Sequence, residues 1–281
     1  MNIIDGRSVA SAIKTKVAAE VEELKQSGVN PCLAVILVGE DPASQVYVRN
    51  KKRACDECGI ISKEFILPAD SSQEELLRLI DVLNCDASVN GILCQLPLPE
   101  GFNEKAVMEA ISQEKDVDCF HSINVGKVMT GDYSFLPCTP AGVLEMLDYY
   151  KIDITGKTCV VVGRSNIVGK PLSLMLLNKN GTVTTAHSKT KNLAEICRTA
   201  DILCVAIGKP KFITEDMIKE DAVIIDIGIN RVDGKLCGDV DFENVSKKAS
   251  YITPVPGGCG LTTVAMLMQN TVKAAKMQNN V

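Results

Sequence analysis

The chain of 281 residues is long enough to bury a sizeable core, and we expect two domains. Its net charge of −5, without a long basic run, argues against a nucleic-acid-binding surface. No apolar segment approaches the length of a membrane span, and the N-terminus lacks the charged-then-apolar pattern of a secretion signal. The twelve scattered cysteines are predicted to be reduced cytosolic thiols that pack as small hydrophobes.

The first part of the chain alternates between predicted helices and predicted strands. Apolar residues recur at helical spacing in some segments, and short apolar runs between turn residues indicate buried strands in others. This alternation is typical of an α/β domain with mostly parallel strands. The predicted helices cover 8–27, 43–58, 72–83 and 103–111, and the predicted strands cover 32–38, 60–67 and 91–96.

The same alternation resumes after residue 139 and predicts a second, Rossmann-like domain with a mostly parallel sheet. We place the domains at 1–138 and 139–261. The pattern leaves open whether the last helix, about 262–281, packs back on the first domain. The predicted helices here cover 139–150 and 260–277 besides the one after Gly169, and the predicted strands cover 159–162, 182–186, 201–206, 223–226 and 251–253.

The stretch Cys159–Pro171 is the centre of the second domain. A β-branched apolar run ends at Gly163, and a helical pattern begins at Gly169, so the stretch predicts a strand, a glycine loop and a helix. Such a loop directs free backbone N–H groups at one point, which suits a phosphate group. Because five residues separate the two glycines, the usual G-x-G-x-x-G spacing is absent, and a purely structural turn is an equal alternative.

The residues after the next predicted strand favour one dinucleotide over another. An NAD site usually has an acidic residue there, which binds the ribose hydroxyls. This chain instead has His187-Ser-Lys-Thr-Lys191, and Arg164 lies in the glycine loop. Cations and a hydroxyl without a carboxylate suit a 2′-phosphate, so the sequence predicts NADP.

Two stretches of the first domain carry side chains that suit catalysis. Tyr47 and Lys51 are four residues apart on a predicted helix and therefore share one of its faces. Since cationic residues surround them, a solvated helix face is the alternative interpretation. Gln95 follows an apolar strand, and so lies at the strand's carboxyl end, where open α/β sheets bind ligands.

Three further stretches each allow two interpretations. Asp118 follows Lys115 in a loop, which is either functional or a simple turn or helix cap. The turn Thr253–Gly258 is either a connection or a backbone wall against a flat ligand. Cys55 and Cys58 have C-x-x-C spacing, but no second pair accompanies them, so two thiols on one helix are favoured over a zinc site.

Seven short motifs, spread over nearly the whole chain, occur in a fixed order. They are Tyr47-x-x-x-Lys51, Gln95-Leu-Pro-Leu-Pro99, Lys115-Asp-Val-Asp118, Pro137-Cys-Thr-Pro140, Gly163-Arg-Ser165 with Val168-Gly169, His187-Ser-Lys-Thr190 and Pro254-Val-Pro-Gly-Gly258. Together they resemble the bifunctional methylenetetrahydrofolate dehydrogenase/methenyltetrahydrofolate cyclohydrolase family.

The resemblance implies an activity and a set of catalytic residues. It implies NADP-dependent oxidation of 5,10-methylenetetrahydrofolate, then hydrolysis to 10-formyltetrahydrofolate, within one-carbon metabolism and purine biosynthesis. The enzyme would be a cytoplasmic homodimer that acts on tetrahydrofolate derivatives, without a metal. Lys51 matches the catalytic lysine, Tyr47 the tyrosine that stacks on the folate, Gln95 the residue that orients the lysine, and Asp118 the carboxylate that holds the pterin.

The resemblance also implies a cofactor site, and three positions depart from the family pattern. Arg164 and Ser188 match the residues at the 2′-phosphate. Cys119 stands where glycine is common, and Leu261 and Thr262 replace a usual Pro-Met pair. The remaining residues implied at the cofactor are Gly163, Ser165, Ile167, His187, Gly208 and Ile229, and those implied at the substrate besides the catalytic four are Pro256, Gly257 and Gly258.

The implied chemistry agrees with these residue types. Removal of a hydride from the methylene carbon mainly requires positioning, whereas attack of water on the resulting cation benefits from a base. Lys51 suits that role if its surroundings depress its pKa. Two alternatives stay open: a dehydrogenase for another substrate, such as shikimate or an amino acid, and a non-enzymatic NADPH-binding module in which Lys51 is a surface charge.

Overall fold

A computed structural model describes the whole chain, Met1–Val281. The helices are α1 (Gly6–Gln26), α2 (Pro42–Cys58), α3 (Gln73–Cys85), α4 (Glu104–Ala110), α5 (Ser122–Thr130), α6 (Cys138–Tyr149), α7 (Gly169–Asn178), α8 (Leu193–Arg198), α9 (Phe242–Val245) and α10 (Cys259–Asn279). The strands are β1 (Asn2–Ile3), β2 (Cys32–Val38), β3 (Ile61–Leu67), β4 (Gly91–Cys94), β5 (Thr158–Val162), β6 (Thr182–Ala186), β7 (Ile202–Val205), β8 (Val223–Asp226), β9 (Asn230–Val232), β10 (Lys235–Cys237) and β11 (Tyr251–Ile252).

The chain forms two compact units. The three-stranded unit comprises Ser11–Cys138 together with Val264–Val281. The six-stranded unit comprises Met1–Ala10 together with Thr139–Thr263. The division falls within helices α1 and α10, so each of these helices contributes residues to both units.

The three-stranded unit has a parallel sheet in the order β3-β2-β4. Every residue of the central strand β2 is buried, which fits its unbroken apolar sequence. Helix α3 begins with a capping box, in which Ser72 and Glu75 each bond the other's backbone N–H. Its apolar stripe of Leu76, Ile80 and Leu83 then packs in the core against β2 and β4.

The six-stranded unit has a parallel sheet in the order β1-β11-β8-β7-β5-β6. The chain runs from β5 outward to β6 and then crosses to β7 on the other side of β5. In open parallel sheets this change of direction marks the ligand-binding edge, at the carboxyl ends of the strands. The loops that begin at Gly163, His187 and Ala206 therefore lie on the edge where a dinucleotide is expected.

The sequence predicted most long elements within two residues of their bounds, and β2, β6 and β8 agree with the predicted ranges. It missed short elements, including α5, α8 and the hairpin β9–β10. It also missed β1, which pairs in parallel with β11 and so places the first ten residues in the six-stranded unit. These ten residues thus pack in the other compact unit from the rest of the predicted domain 1–138, and the sequence did not indicate this because a two-residue strand gives no readable alternation.

The structure also shows the state of the cysteines and the character of the helices. All twelve cysteines are free thiols, and ten of them are buried. Burial raises the pKa of Cys55 to about 12 and that of Cys58 to about 11, so both pack as small hydrophobes on α2. None of the helices is both long enough and apolar enough to cross a membrane.

Candidate active site and cofactor site

Helix α2 carries Lys51 on its buried face rather than on a solvated one. The buried residues Ser44, Val48, Cys55 and Cys58 follow one stripe along the helix, and Lys51 occupies the middle position of that stripe. Its neighbour Lys52, by contrast, is exposed. The solvated-face interpretation is therefore wrong for Lys51.

Lys51 reaches the residue that follows strand β4. Its Nζ donates a hydrogen bond of 2.8 Å to Oε1 of Gln95, which is only 8% exposed. The Gln95 side-chain amide in turn donates to the carbonyl of Leu96, so the amide orientation is fixed. Gln95 thus holds the amine at the carboxyl end of β4, while Tyr47, one helical turn earlier, stays 37% exposed.

Burial and one carboxylate set the electrostatics of this site. Burial lowers the pKa of Lys51, and the nearby Asp118 carboxylate opposes that shift. Burial likewise raises the pKa of Asp118, which Lys51 opposes. An amine with a lowered pKa is a better proton acceptor near neutral pH than an ordinary lysine.

The loop that presents Asp118 is anchored on both sides of it. Lys115 donates from Nζ to the carbonyls of Leu83 (2.9 Å) and Asp86 (2.7 Å) and so caps the end of α3. Asp116 is buried and accepts hydrogen bonds from the side chain of Asn124 and from the backbone N–H groups of Phe120 and His121. Lys115 and Asp116, the first two charges of the motif, are thus structural, whereas Asp118 interacts electrostatically with Lys51.

Helix α10 and the start of α6 complete the support of this loop. The Asn270 side chain donates to the carbonyls of Val117 (2.8 Å) and Leu136 (2.9 Å). The Cys138 thiol donates to the carbonyl of Val117 (3.4 Å) and is itself buried, and this burial raises its pKa well above the usual range. Cys138 is therefore a hydrogen-bonding support rather than a nucleophile.

Cys119 has a backbone conformation that favours glycine. Its φ is 62°, which lies in the left-handed region that side chains other than glycine disfavour. The side chain is fully buried, and its thiol lies 3.5 Å from the carbonyl of Phe135. The chain accommodates a cysteine here because the thiol fills a pocket and has a hydrogen-bond acceptor.

Replacing Lys51 is expected to change stability in a pH-dependent way. Because its pKa is lowered, the charged amine of Lys51 destabilises the folded state. This destabilisation is fully present at pH values below the folded-state pKa and is absent above the unfolded-state pKa of 10.5. The Tm of Lys51→Met minus that of the unmutated protein should therefore be larger at pH 6 than at pH 9. Thermal unfolding at both values measures this, and a difference that grows with pH would contradict it.

In the six-stranded unit, the loop from Gly163 to Gly169 is packed too tightly for side chains at its two ends. Gly163 has a φ of 135°, and a Cβ there would lie 2.3 Å from the carbonyl oxygen of Ala206. A Cβ at Gly169 would lie 2.2 Å from the carbonyl oxygen of Gly163. This close backbone approach is what a loop for a pyrophosphate requires.

Ser165 organises the interior of this loop. Its hydroxyl accepts hydrogen bonds from the N–H groups of Val168 and Gly169, at 3.2 and 3.3 Å. Helix α7 then begins without a capping side chain at Val168. Ser165 therefore shapes the turn from within, whereas Arg164 beside it is exposed and extends from the same loop.

The turn after β6 presents Ser188 to solvent. The backbone N–H of His187 donates to Oγ1 of Thr190 (2.8 Å), and the N–H of Lys189 donates to the imidazole of His187 (3.2 Å). His187 thus orders the turn, while Ser188 and Lys189 are exposed. No carboxylate occurs between His187 and Lys191, in agreement with a site for a 2′-phosphate.

Two exposed isoleucines lie at the same edge of the sheet. Ile167, in the loop after β5, is 40% exposed, and Ile229, after β8, is 42% exposed. Gly208 follows β7 with a φ of 64° and open space around it. Exposed apolar side chains beside phosphate-type loops suit the flat rings of a dinucleotide.

The turn of Pro256, Gly257 and Gly258 belongs to the six-stranded unit and packs against the start of α1. The N–H of Gly6 donates to the carbonyl of Gly257 (2.9 Å), and a Cβ at Gly6 would lie 2.3 Å from the carbonyl oxygen of Gly258. Leu261 and Thr262, the two departures from the pattern of the resembled family, follow this turn. Leu261 is 40% exposed, whereas Thr262 is buried and its hydroxyl donates to the carbonyl of Cys259.

The sequence did not single out two buried aspartates of the six-stranded unit. Asp226 ends strand β8, and Asp239 follows the hairpin β9–β10. They are 3% and 0% exposed. The sequence did contain a usable signal. A glycine lies within two residues of each aspartate, in Asp226-Ile-Gly228 and Gly238-Asp239, and glycine often marks a place where another group approaches closely.

Comparisons with known proteins identify both units. Residues 4–118 match the family model described as "Tetrahydrofolate dehydrogenase/cyclohydrolase, catalytic domain", and residues 137–279 match its "NAD(P)-binding domain". The bifunctional protein FolD of Acetivibrio thermocellus is 58% identical over 277 residues, which cover 98% of this chain and 97% of that protein.

Two solved structures agree with these matches. The bifunctional enzyme FolD of Campylobacter jejuni has a TM-score of 0.97 at 51% identity, with both chains covered completely. The dehydrogenase-cyclohydrolase of Trypanosoma brucei, solved with NADP cofactor and an inhibitor, has a TM-score of 0.95 at 39% identity over 99% of this chain and 98% of that one. The family resemblance and the two-domain α/β fold are confirmed, and the chain belongs to the tetrahydrofolate dehydrogenase/cyclohydrolase family.

Proposed function

We propose that the protein oxidises 5,10-methylenetetrahydrofolate with NADP to 5,10-methenyltetrahydrofolate and then hydrolyses this product to 10-formyltetrahydrofolate. The observation that carries the proposal is the half-buried Lys51, which is hydrogen-bonded to Gln95 and interacts electrostatically with Asp118, in a chain that also holds a glycine-framed dinucleotide loop. The three-stranded unit supplies an amine with a lowered pKa for the hydrolysis, and the six-stranded unit supplies a site for the redox cofactor.

The residues of the six-stranded unit fit NADP. The Gly163–Gly169 loop has the close backbone packing of a phosphate loop, and Arg164, Ser188 and Lys189 are exposed cationic and hydroxyl groups suited to a 2′-phosphate. When bound, NADP supplies the hydride acceptor for the oxidation. The chain's own part in that step is to bind and orient, because loss of the hydride leaves a cation delocalised over two nitrogens and no proton has to be removed.

Tyr47 and Asp118 are proposed to hold the folate. Tyr47 is partly exposed one helical turn from Lys51, which leaves its ring free to stack on a flat pterin. Asp118 is half-buried, and its carboxylate is suited to accept hydrogen bonds from the N–H groups of a pterin edge. Pro256, Gly257 and Gly258 are proposed to line the substrate with backbone atoms.

Lys51 is proposed to be the base of the hydrolytic step. Water adds to the methenyl carbon between N5 and N10, and the neutral amine takes a proton from that water as the new C–O bond forms. The hydroxyl formed in this way then loses its proton as its C–O bond becomes C=O, the bond from this carbon to N5 breaks, N5 takes up a proton, and the formyl group remains on N10. Gln95 keeps the amine in position throughout, because its oxygen accepts one of the amine's hydrogen bonds.

Replacement of Arg164 is expected to erode a preference for NADP over NAD. Loss of a charge-assisted phosphate contact costs about 1.5–3 kcal/mol, or about one to two decades in affinity. The kcat/KM of Arg164→Ala for NADP should fall by that factor, and its kcat/KM for NAD should change little. Arg198→Ala, an exposed arginine on α8, is the control. Equal use of both cofactors by the unmutated protein would contradict the proposal.

We also infer that the protein is a cytoplasmic homodimer whose product supplies one-carbon units to purine biosynthesis. The family resemblance supports the dimer, and the free thiols support a reducing compartment. Light scattering that gives the mass of a single 30.2 kDa chain under assay conditions would overturn the dimer.

A spectrophotometric assay tests the function as a whole. With methylenetetrahydrofolate, NADPH should form only when NADP is added, and methenyltetrahydrofolate should disappear faster than its uncatalysed hydrolysis even without NADP. NADPH formation with shikimate or an amino acid instead would indicate the other dehydrogenase. NADPH binding without either reaction would indicate a non-enzymatic module.

A further inference from the structure

Two buried carboxylates lie behind the loops that carry the proposed cofactor residues of the six-stranded unit. Asp239 accepts hydrogen bonds from three consecutive backbone N–H groups, those of Ile207, Gly208 and Lys209, at 2.7, 3.0 and 2.8 Å. Its Oδ1 also accepts one from the Asn230 side chain at 2.9 Å. This single carboxylate therefore joins the loop after β7 to the segment after β8.

Asp226 in turn fixes the position of Asp239. Its carboxylate accepts hydrogen bonds from the N–H groups of Gly228 (3.2 Å), Asp239 (3.0 Å) and Val240 (3.0 Å). The two carboxylates are thus linked in series, with Asp226 holding the backbone of Asp239 and Asp239 holding the two loops.

The surrounding glycines show that the space is reserved for these carboxylates. A Cβ at Gly238 would lie 1.8 Å from Oδ2 of Asp226, and a Cβ at Gly228 would lie 2.1 Å from Cγ of Asp239. Burial raises the pKa of Asp226 to about 7, against the effect of its backbone donors. Burying two neighbouring carboxylates is unfavourable, and a neutral side chain would avoid that penalty if only a turn had to be stabilised.

The loops held in this way lie where a dinucleotide binds. Gly208 is in the loop after β7, and Ile229 is in the segment after β8, next to Asn230. The loop after β7 also forms the wall behind the phosphate loop, since Gly163 packs directly on the carbonyl of Ala206. We propose that Asp226 and Asp239 are positioning residues that preorganise the cofactor loops after β7 and β8, an inference that rests on the proposed function.

The test compares two reactions of one protein. Asp239→Asn keeps the shape of the side chain but replaces one acceptor oxygen with an N–H₂ group that faces backbone donors. We expect its KM for NADP in the dehydrogenase reaction to rise at least tenfold. Hydrolysis of methenyltetrahydrofolate without NADP, which is proposed to use residues of the other unit, should stay within about twofold and so reports on folding. Asp201→Asn, at the opposite end of strand β7, is the matched control and should change neither reaction.

A milder variant keeps the proposal testable if Asp239→Asn does not fold. Asn230→Ala removes one donor and leaves both carboxylates, and its KM for NADP should rise a few fold with hydrolysis unchanged. An unchanged KM in a folded variant, or an equal loss of both reactions, would overturn the positioning role. Absence of both reactions in the unmutated protein would instead overturn the proposed function.

Discussion

The Lys51→Met protein is expected to lose its cyclohydrolase activity while retaining part of its dehydrogenase activity. Methionine keeps an unbranched chain of similar length and removes only the amine, whose lowered pKa suits it to accept a proton. General acid–base groups contribute about a hundredfold to ten-thousandfold, so hydrolysis should approach the uncatalysed rate. Hydride transfer depends on positioning and needs no proton acceptor, so NADP reduction should persist.

Lys52→Met is the control for this experiment. Lys52 is the next residue on α2, is exposed, and forms an ion pair with Glu64. The same substitution therefore removes an amine from the solvent-exposed side of the helix. Both reactions should be retained in this variant. Methenyltetrahydrofolate hydrolysis and NADP reduction are followed separately, and intact hydrolysis in Lys51→Met would exclude Lys51 as the base.

The Asp118→Asn protein is expected to lose folate affinity and to be impaired in both reactions. The carboxylate is proposed to accept N–H donors of the pterin, and an amide at the same place faces at least one of them with an N–H₂ group. Loss of a charge-assisted hydrogen bond costs about 1.5–3 kcal/mol, so kcat/KM for both folate substrates should fall about tenfold to a hundredfold. The affinity for NADP, measured by calorimetry, should be almost unchanged.

The same variant carries a pH signature. The Asp118 carboxylate raises the pKa of Lys51, so its removal should lower that pKa further. Because hydrolysis requires the neutral amine, the rising limb of its pH–rate profile should move to lower pH in Asp118→Asn. Asp132→Asn, an exposed aspartate of the same unit, should leave the limb in place. A limb that moves to higher pH, or a loss of NADP affinity, would contradict the assignment of Asp118.

The sequence predicted the repeating elements of the fold but not the short ones. Apolar periodicity located β2, α2 and β8, because burial of a whole strand or of one helix face constrains many positions at once. Strand β1 has two residues and α9 has four, so neither contains a readable period. The hairpin β9–β10 was missed for the same reason.

The candidate site was predictable in part, and the rest depended on tertiary contacts. Lys51 interrupts a buried stripe on α2, and this spacing was already visible in the sequence. The roles of Lys115 and Asp116 as anchors were not, because their partners lie in α3 and near the start of α5. Asp239 was missed since its hydrogen bonds join it to backbone groups about thirty residues away, which no local pattern records.

The accumulation of methenyltetrahydrofolate in the Lys51→Met protein tests the account most directly. Given methylenetetrahydrofolate and NADP under conditions of slow uncatalysed hydrolysis, this variant should form methenyltetrahydrofolate and NADPH in equal amounts. The unmutated protein should form NADPH while 10-formyltetrahydrofolate replaces the methenyl intermediate. Equal methenyl-to-NADPH ratios in the two proteins would show that Lys51 does not separate the two steps and would contradict the account.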